Sequence, residues 1–253
     1  MISPVRKMFD GIANRYDFLN HFLSCFQDVL WRRYCCRALK RMVKREAAGA
    51  GLERQGARLL DLCGGTGDFA DTFRKVFESG TPAIPVERAV IGDFSFGMLA
   101  RVAPKKIKAS AVQLDAMQIP FGDAQFDFML NGFGMRNVPD ARRVLEESYR
   151  VLSDGGRLCV LEFFSPRNLF NRFFYKVLAP MFIPVMGAFF SGKRDAYEYL
   201  VNSILRFLPV EDFCTLSRSV GFEVEKVKMF DGGISFGVFL RKRKTVDAEG
   251  CSR

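Results

Sequence analysis

Short apolar runs alternate with longer amphipathic stretches through the middle of this chain. The apolar runs predict strands at 58–62, 89–93, 111–114, 126–131 and 157–163. Between them, apolar residues at helical spacing predict helices near 69–79, from Phe96 onward, and at 141–152. The glycines at 155 and 156 are typical of the end of the last of these helices. This alternation predicts a parallel sheet with helices on both faces.

The two ends of the chain carry other patterns. Residues 8–22 show a broad apolar face at helical spacing, and a second helix is predicted from Gln27 to about Arg45. After the strands, the chain predicts two more helices and an antiparallel hairpin, at 197–207, 209–219, and 221–227 with 234–240 around the turn 231–233.

Length and composition fit one domain. With 253 residues and 49% hydrophobic content, the chain can bury a full core, and no second core is implied. We divide this domain into a helical lid, a ligand-binding half, an apolar insertion, a closing helix with hairpin, and a charged tail, at 1–50, 57–165, 166–208, 209–241 and 242–253. His21 lies in the predicted lid, and the alternative to a role in covering the cofactor is a purely structural role.

Residues 60–70, Leu-Asp-Leu-Cys-Gly-Gly-Thr-Gly-Asp-Phe-Ala, predict a strand, a tight turn and a helix. Gly64, Gly65 and Gly67 leave the backbone bare around Thr66, so a ligand can approach closely. The free N–H groups at the helix start favour a carboxylate or a phosphate. We therefore interpret this turn as a cofactor site.

The identity of the cofactor depends on two acidic residues. Residues 65–70 also fit the dinucleotide pattern Gly-x-Gly-x-x-Ala. Asp61 and Asp68 would repel a pyrophosphate, however, and would attract a cation. S-adenosylmethionine carries a sulfonium and an ammonium and no phosphate, so the turn favours it, with a dinucleotide as the alternative.

Three successive predicted strands end in an aspartate: Asp61, Asp93 and Asp115. The carboxyl ends of parallel strands meet at one edge, where such sheets bind ligands. At the end of the second strand a carboxylate can accept hydrogen bonds from both ribose hydroxyls. The alternative for Asp93 is to cap the helix near Phe96. Asp115 could accept a hydrogen bond from an adenine amino group.

The chain is basic, with a net charge of +10 and a pI near 9.4. This balance would suit nucleic acid or an anionic membrane surface, and a solvated surface is the alternative. The basic residues bunch at 32–45, 105–108 and 241–244.

The cysteines and the single histidine limit which disulfides and metal sites the chain can form. The seven cysteines are odd in number and show no Cys-x-x-Cys spacing, so neither a disulfide framework nor a zinc ribbon is indicated. A single histidine excludes His-rich metal sites, so we expect catalysis without a metal. The first residues lack the apolar core of a secretory signal, and a cytoplasmic location is expected.

An apolar stretch at 169–190 is rich in Phe and Met. Two cations and two prolines interrupt it, and its uncharged part, 177–192, is shorter than the roughly 20 residues of a membrane span. We expect it to cover an apolar substrate or to rest at a bilayer surface. Packing within the domain or at a dimer interface is the alternative.

Several motifs together resemble the ubiquinone/menaquinone biosynthesis C-methyltransferases, over about 7–241. In the middle of the chain these are 60–68, 92–95 with Met98 and Leu99, Asp115-Ala116 before 119–121, Phe126-Asp127, 134–138, 150–152 with 155–156, and 161–163. Outside it they are Phe9-Asp10 with Tyr16-Asp17 and Asn20, and 197–200 with Ser203, Ile204 and 207–209.

The resemblance implies an α/β fold of the class I methyltransferase, Rossmann-like type, with a mostly parallel seven-stranded sheet, a C-terminal antiparallel hairpin and N-terminal lid helices. It also implies methyl transfer from S-adenosylmethionine to a ring carbon of a polyprenylated quinol. The family's cofactor contacts fall on Thr66, Asp93, Asp115 and Ala116, and a further one, commonly a serine, falls on Gly132. The family's histidine in the last strand is missing from 237–241.

The candidate site combines these contacts with the turn and strand ends. The cofactor-binding candidates are Asp61, Gly64, Gly65, Thr66, Gly67, Asp93, Phe94, Asp115, Ala116 and Gly132. A quinol ring carbon becomes nucleophilic when a neighbouring hydroxyl ionises, and Arg136 could lower the pKa of that hydroxyl while Asn137 orients it. A structural salt bridge is the alternative for Arg136. The proton acceptor stays open between water, Asp10 and another group.

The resemblance implies a polyprenylated quinol as the substrate. Peripheral contact with the inner face of a membrane, which the basic charge and the apolar insertion favour, and a homo-oligomer are further options. The acceptor stays open between a naphthoquinol and a benzoquinol. A methyltransferase for another small or lipid substrate is the main rival. A nicotinamide oxidoreductase is disfavoured by Asp68 and the lack of Tyr-x-x-x-Lys, and a nucleic-acid binder by the dispersed charge and the apolar insertion.

Overall fold

The computed structural model describes residues 24, 26–50, 56–80, 83–105, 107–167 and 194–243. Its helices are α1 (Gln27–Ala50), α2 (Asp68–Glu78), α3 (Phe96–Leu99), α4 (Ala141–Val151), α5 (Arg194–Arg206) and α6 (Val210–Val220). Its strands are β1 (Ala57–Leu62), β2 (Val86–Asp93), β3 (Ser110–Gln113), β4 (Phe126–Gly132), β5 (Leu152–Glu162), β6 (Phe222–Phe230) and β7 (Ser235–Lys242).

The strands form one seven-stranded sheet in the order β3-β2-β1-β4-β5-β7-β6. The first five strands are parallel, and β7 runs antiparallel between β5 and β6. This confirms the predicted parallel sheet with a closing hairpin. The order reverses between β1 and β4, and such a point is where an open α/β sheet binds ligands at its carboxyl edge.

The two faces of the sheet carry two separate apolar cores. On one face α1 and α2 pack through side chains such as Leu39 and Phe73, which are fully buried. On the other face α4 and α6 pack through side chains such as Leu145 and Phe213. Both faces are therefore covered, as the continuous apolar strands require.

Helix α1 is fixed by hydrogen bonds to the end of α2 and to the turn between β6 and β7. Lys40 donates hydrogen bonds from Nζ to the last carbonyls of α2, at 3.1 Å from Val76 O and 2.9 Å from Phe77 O. A cation at a helix C-terminus is favourable because of the helix dipole. Trp31 donates from Nε1 to Asp231 Oδ2 in the hairpin turn at 2.9 Å. The first half of α1 therefore lies beside the carboxyl edge of the sheet.

The predicted glycine helix end after α4 is wrong. Helix α4 stops at Val151, and the next residue, Leu152, is already extended and pairs with Phe126. The register between β4 and β5 shifts immediately afterwards, and Gly155 lies there with φ 73°. The glycines therefore form an irregularity inside β5, where a positive φ is also needed.

Some predictions fall outside the described residues. These are the first helix at 8–22 with Asp10 and His21, most of the apolar insertion at 166–208, and most of the tail from 242. The division of the chain into a lid, an insertion and a tail stays a prediction. Among the helices that the structure describes, none is both long and apolar enough to cross a membrane.

Candidate active site

The glycine turn joins β1 to α2 as predicted. Gly65 and Gly67 have φ values of 56° and 86°, which residues with a side chain rarely adopt. A Cβ at Gly67 would lie 2.7 Å from Ile91 Cδ1, whereas a Cβ at Gly65 would meet nothing within 4 Å. Gly67 is therefore needed for packing against β2, and Gly65 presents bare backbone to open space.

Asp93, at the end of β2, is hydrogen-bonded to the backbone of this turn. Its Oδ2 accepts a hydrogen bond from Gly65 N at 2.9 Å, and its Oδ1 accepts one from Ser95 N at 2.8 Å. The hydroxyl of Ser95 caps α3 by accepting from Met98 N at 3.2 Å. The alternative in which Asp93 caps this helix is therefore wrong, and its buried carboxylate faces the turn.

Asp61, in β1, is a buried carboxylate with one unsatisfied oxygen. It is 0% exposed, and its Oδ2 accepts a hydrogen bond from Ala70 N at 2.9 Å. Its Oδ1 has no hydrogen-bond partner among the described residues. Burial raises the pKa of Asp61 to about 7, although the bond from Ala70 and the charge of Arg32 oppose the shift. Such an orphaned acceptor favours a ligand that donates to it.

We expect Asp61 to make stability depend on pH. Because its pKa is raised in the folded protein, its contribution is full below 3.8 and is lost as the pH rises through about 7. Relative to Asp61→Asn, which cannot titrate, the wild type should lose free energy of unfolding across this window, at roughly 1.4 kcal/mol per pKa unit. Urea unfolding at several pH values measures this. Parallel curves for both proteins would contradict it.

The glycine turn, Asp61 and the end of β4 enclose one small cavity. Its lining residues are Arg32, Asp61, Cys63, Gly64, Gly65, Thr66, Asp68, Phe69, Gly132 and Phe133. A Cβ at Gly132 would lie 3.0 Å from the Phe69 ring, so a serine at that position would require the ring to move. Gly132 therefore leaves the space that the Phe69 ring occupies in this chain.

The other cofactor candidates lie on the neighbouring strand ends and do not line this cavity. Asp115 is exposed just after β3, and its Oδ1 accepts a hydrogen bond from Met117 N at 2.8 Å. Ala116 is buried, and Phe94 is partly buried, with its carbonyl accepting from Gln113 Nε2 at 2.9 Å. They follow the same edge of the sheet, next to Asp93.

Two cations in the site were missed by the sequence reasoning. Arg32 of α1 lines the cavity, with Nη1 2.8 Å from Asp28 and 3.7 Å from Asp68. Lys105 donates from Nζ to Thr66 Oγ1 at 2.8 Å and to Asp68 Oδ1 at 2.6 Å. Asp68 is therefore compensated by two cations, so its use as an argument against a phosphate ligand is weakened.

Arg136 and Asn137 follow β4 in a short 3-10 turn, Met135–Asn137. The guanidinium of Arg136 lies 2.5 Å from Oε1 of Glu162, whose side chain is fully buried at the end of β5. It also donates to Phe133 O at 2.7 Å and to Ser203 Oγ at 3.2 Å. The structural salt bridge considered above is thus present, and a catalytic role for Arg136 stays a prediction.

Asn137 joins the same edge to α5. Its Nδ2 donates to Phe133 O at 3.1 Å, and its Oδ1 accepts from the hydroxyl of Tyr199 at 3.1 Å. Burial raises the pKa of Tyr199. Asn137 is therefore oriented by neighbours on both sides, and its catalytic role also stays a prediction.

Solved structures of methyltransferases share this architecture. A SAM-dependent methyltransferase of Thermotoga maritima aligns with a TM-score of 0.62 at 20% identity, covering 94% of this chain and 99% of its own. The CurJ carbon methyltransferase aligns with a TM-score of 0.57 at 13% identity, covering 83% of this chain and 54% of its own. This likeness shows the fold, which is that of the class I methyltransferases.

Sequence comparison defines the family. Residues 2–239 match the ubiE/COQ5 methyltransferase family, and the chain belongs to that family. A demethylmenaquinone methyltransferase of Staphylococcus saprophyticus is 34% identical, covering 92% of this chain and 94% of its own. A ubiquinone/menaquinone biosynthesis C-methyltransferase of Geobacter sulfurreducens is 36% identical, covering 86% of this chain and 80% of its own. Family and fold imply S-adenosylmethionine as the methyl donor. The family and the names of these relatives indicate that the protein is a C-methyltransferase.

Proposed function

We propose that this chain methylates a ring carbon of a polyprenylated quinol, converting demethylmenaquinol to menaquinol. The benzoquinol step of ubiquinone biosynthesis is the second reaction that the relatives' names indicate. The observation that supports the proposal most is that the similarity extends over nearly the whole chain, well beyond the cofactor half. A class I fold alone would leave the acceptor undefined.

The residues at the carboxyl edge fit the methyl donor. Asp61 offers an unsatisfied buried oxygen to an ammonium group, and Arg32, which lines the same cavity, offers donors to a carboxylate. Asp93 would accept from the ribose hydroxyls, with Asp115 and Ala116 next to it for the adenine. S-adenosylmethionine supplies a methyl group on a sulfonium, a good leaving group that needs no protonation.

The task of the protein is then to position the ring and to exclude water. In-line methyl transfer gains most from orientation and from desolvation of the reacting atoms. Arg136 is paired with Glu162, so its field on a quinol hydroxyl is weaker than that of a lone cation. The amide of Asn137 and the hydroxyl of Tyr199 are the neutral groups beside it. Arg136 and Asn137 remain our catalytic candidates.

We predict that Arg32→Met weakens binding of S-adenosylhomocysteine about thirtyfold, because a charge-assisted bond of about 2 kcal/mol to its carboxylate is lost. Binding of 5′-methylthioadenosine, which lacks the amino-acid end, should change little. Calorimetry with both ligands makes the comparison, and Arg33→Met, the exposed neighbour, is the matched control. Equal losses for both ligands would exclude a carboxylate contact.

The proposed function is tested by turnover. The protein is incubated with labelled S-adenosylmethionine and either reduced demethylmenaquinol or its benzoquinol counterpart, and mass spectrometry locates the added methyl group. We expect a methylated ring with a quinol and none with the oxidised quinone, because the quinone has no hydroxyl to ionise. If the donor binds and neither quinol is methylated, the acceptor is another small or lipid molecule.

A further inference from the structure

The outward face of α1 carries a row of arginines. Arg33, Arg37 and Arg41 are exposed and four residues apart, so they lie along one face of the helix. They form no ion pair with any carboxylate in the described part of the chain. Like charges at this spacing destabilise a helix, so an anionic surface laid against them would relieve their repulsion.

These arginines border a groove of about 730 Å³ between α1 and α2. Seven basic and two acidic side chains line the groove. Some of its cations are already used, because Lys40 holds the end of α2 and Lys75 pairs with Asp71. The arginine row is the part of this groove that is left for a partner.

Apolar side chains are exposed at the beginning of the same helix. Phe26, Val29 and Leu30 are 58%, 41% and 57% exposed, respectively. Val29 and Leu30 lie four and three residues before Arg33, on the same face. An exposed apolar group followed by a basic row is the arrangement of a helix that lies in a membrane interface.

We propose that this face of α1 docks on an anionic phospholipid bilayer. Val29 and Leu30 enter the headgroup region, and the arginine row contacts lipid phosphates. This inference deepens the proposed function and rests on it, because a polyprenylated acceptor is dissolved in the bilayer. Arg32 and Asp68 line both this groove and the donor cavity, so docking here holds the donor site at the lipid surface.

The composition of the face favours lipid over nucleic acid. Binding sites for single strands place aromatic side chains among the basic ones so that bases can stack. On α1 the exposed apolar residues are collected at one end. Tyr34, the aromatic residue among the arginines, is partly buried, with its ring against Phe230 and its hydroxyl accepting from Lys226 Nζ at 2.9 Å. Such an apolar group can be buried in a bilayer, whereas it makes no favourable contact with the phosphate backbone of a nucleic acid.

Vesicle flotation of the full chain tests the proposal. Phosphatidylcholine vesicles with phosphatidylglycerol should carry the wild type, and vesicles without it should carry little. In Arg33→Gln/Arg37→Gln/Arg41→Gln we expect the partition coefficient to fall about a hundredfold, since each basic residue at an anionic surface contributes roughly fivefold. In Leu30→Ser it should fall less, and the size of that loss should be the same at low and high salt, because the contact that is lost is apolar.

A matched triple variant removes the same charge elsewhere. Lys108→Gln/Arg142→Gln/Arg218→Gln changes three exposed cations away from α1, and it should float like the wild type. Circular dichroism melting shows that each variant is folded. The proposal is overturned if the control triple loses as much binding as the arginine triple, if the wild type ignores phosphatidylglycerol, or if the wild type prefers RNA to these vesicles in competition.

The lipid result and the enzymatic result can be separated. Methylation of a short-chain, water-soluble quinol tests the proposed function without a membrane, and the arginine triple should retain it. With quinol embedded in anionic vesicles, the arginine triple should lose turnover in proportion to its lost binding. Equal turnover by both proteins on embedded quinol would overturn the docking surface and leave the proposed function intact.

Discussion

An Asp93→Ala variant is expected to bind S-adenosylhomocysteine about a hundredfold more weakly than the wild type, because two charge-assisted hydrogen bonds to ribose hydroxyls are lost. The buried carboxylate also holds Gly65 N at 2.9 Å, so its removal loosens the turn itself. Calorimetry of purified protein gives the dissociation constant. Asp93→Asn keeps an acceptor oxygen and should fall between the two.

The control for this prediction is Asp123→Ala. Its side chain is 78% exposed in the loop before β4, and it pairs with Arg150 at 2.9 Å. Removing an exposed ion pair of this kind costs little. If Asp93→Ala and Asp123→Ala both bind the ligand as the wild type does, Asp93 has no part in the donor site.

A Glu162→Gln variant is expected to lose about 3–5 kcal/mol of unfolding free energy, because it leaves the buried Arg136 cation without its partner. Glu162 is fully buried and accepts from both the side chain and the backbone N–H of Arg136. Urea unfolding measures the loss. The matched control is Asp71→Asn, which breaks the exposed pair with Lys75 and should change stability by less than about 1 kcal/mol.

The double variant Arg136→Met/Glu162→Gln separates the two interpretations of Arg136. Replacing both members of a buried pair is often close to neutral for stability. If the pair is structural only, the double variant recovers both stability and methyl transfer. If Arg136 also acts on the quinol, stability returns and turnover does not. A double variant as unstable as Glu162→Gln would contradict the account of the pair.

The parallel sheet and its acidic strand ends could be predicted because they depend on local patterns. Continuous apolar runs indicate strands that are buried on both faces, and parallel order then brings Asp61 and Asp93 to one edge. The glycine turn was equally clear, because Gly65 and Gly67 require positive φ. The glycines at 155 and 156 do not reveal their role in the same way, since glycine is typical of both a helix end and an irregularity in a strand.

The cations of the site could not be predicted in the same way. Arg32 and Lys105 reach Asp68 from segments well before and well after it, through the packing of α1 and of the loop before β3. No spacing in the sequence encodes such a contact. The clusters of basic residues at 32–45 and 105–108 are the only signal in the sequence, and the first does not distinguish the buried Arg32 from the exposed Arg33.

The central claim is that strand-end carboxylates around a bare glycine turn form a pocket for a positively charged methyl donor. The most direct measurement is a calorimetric titration of the wild type with S-adenosylmethionine, S-adenosylhomocysteine and NADH. We predict saturable heat with the first two ligands and none with NADH. Heat with NADH alone, or no heat with the donor and its product, would contradict the claim.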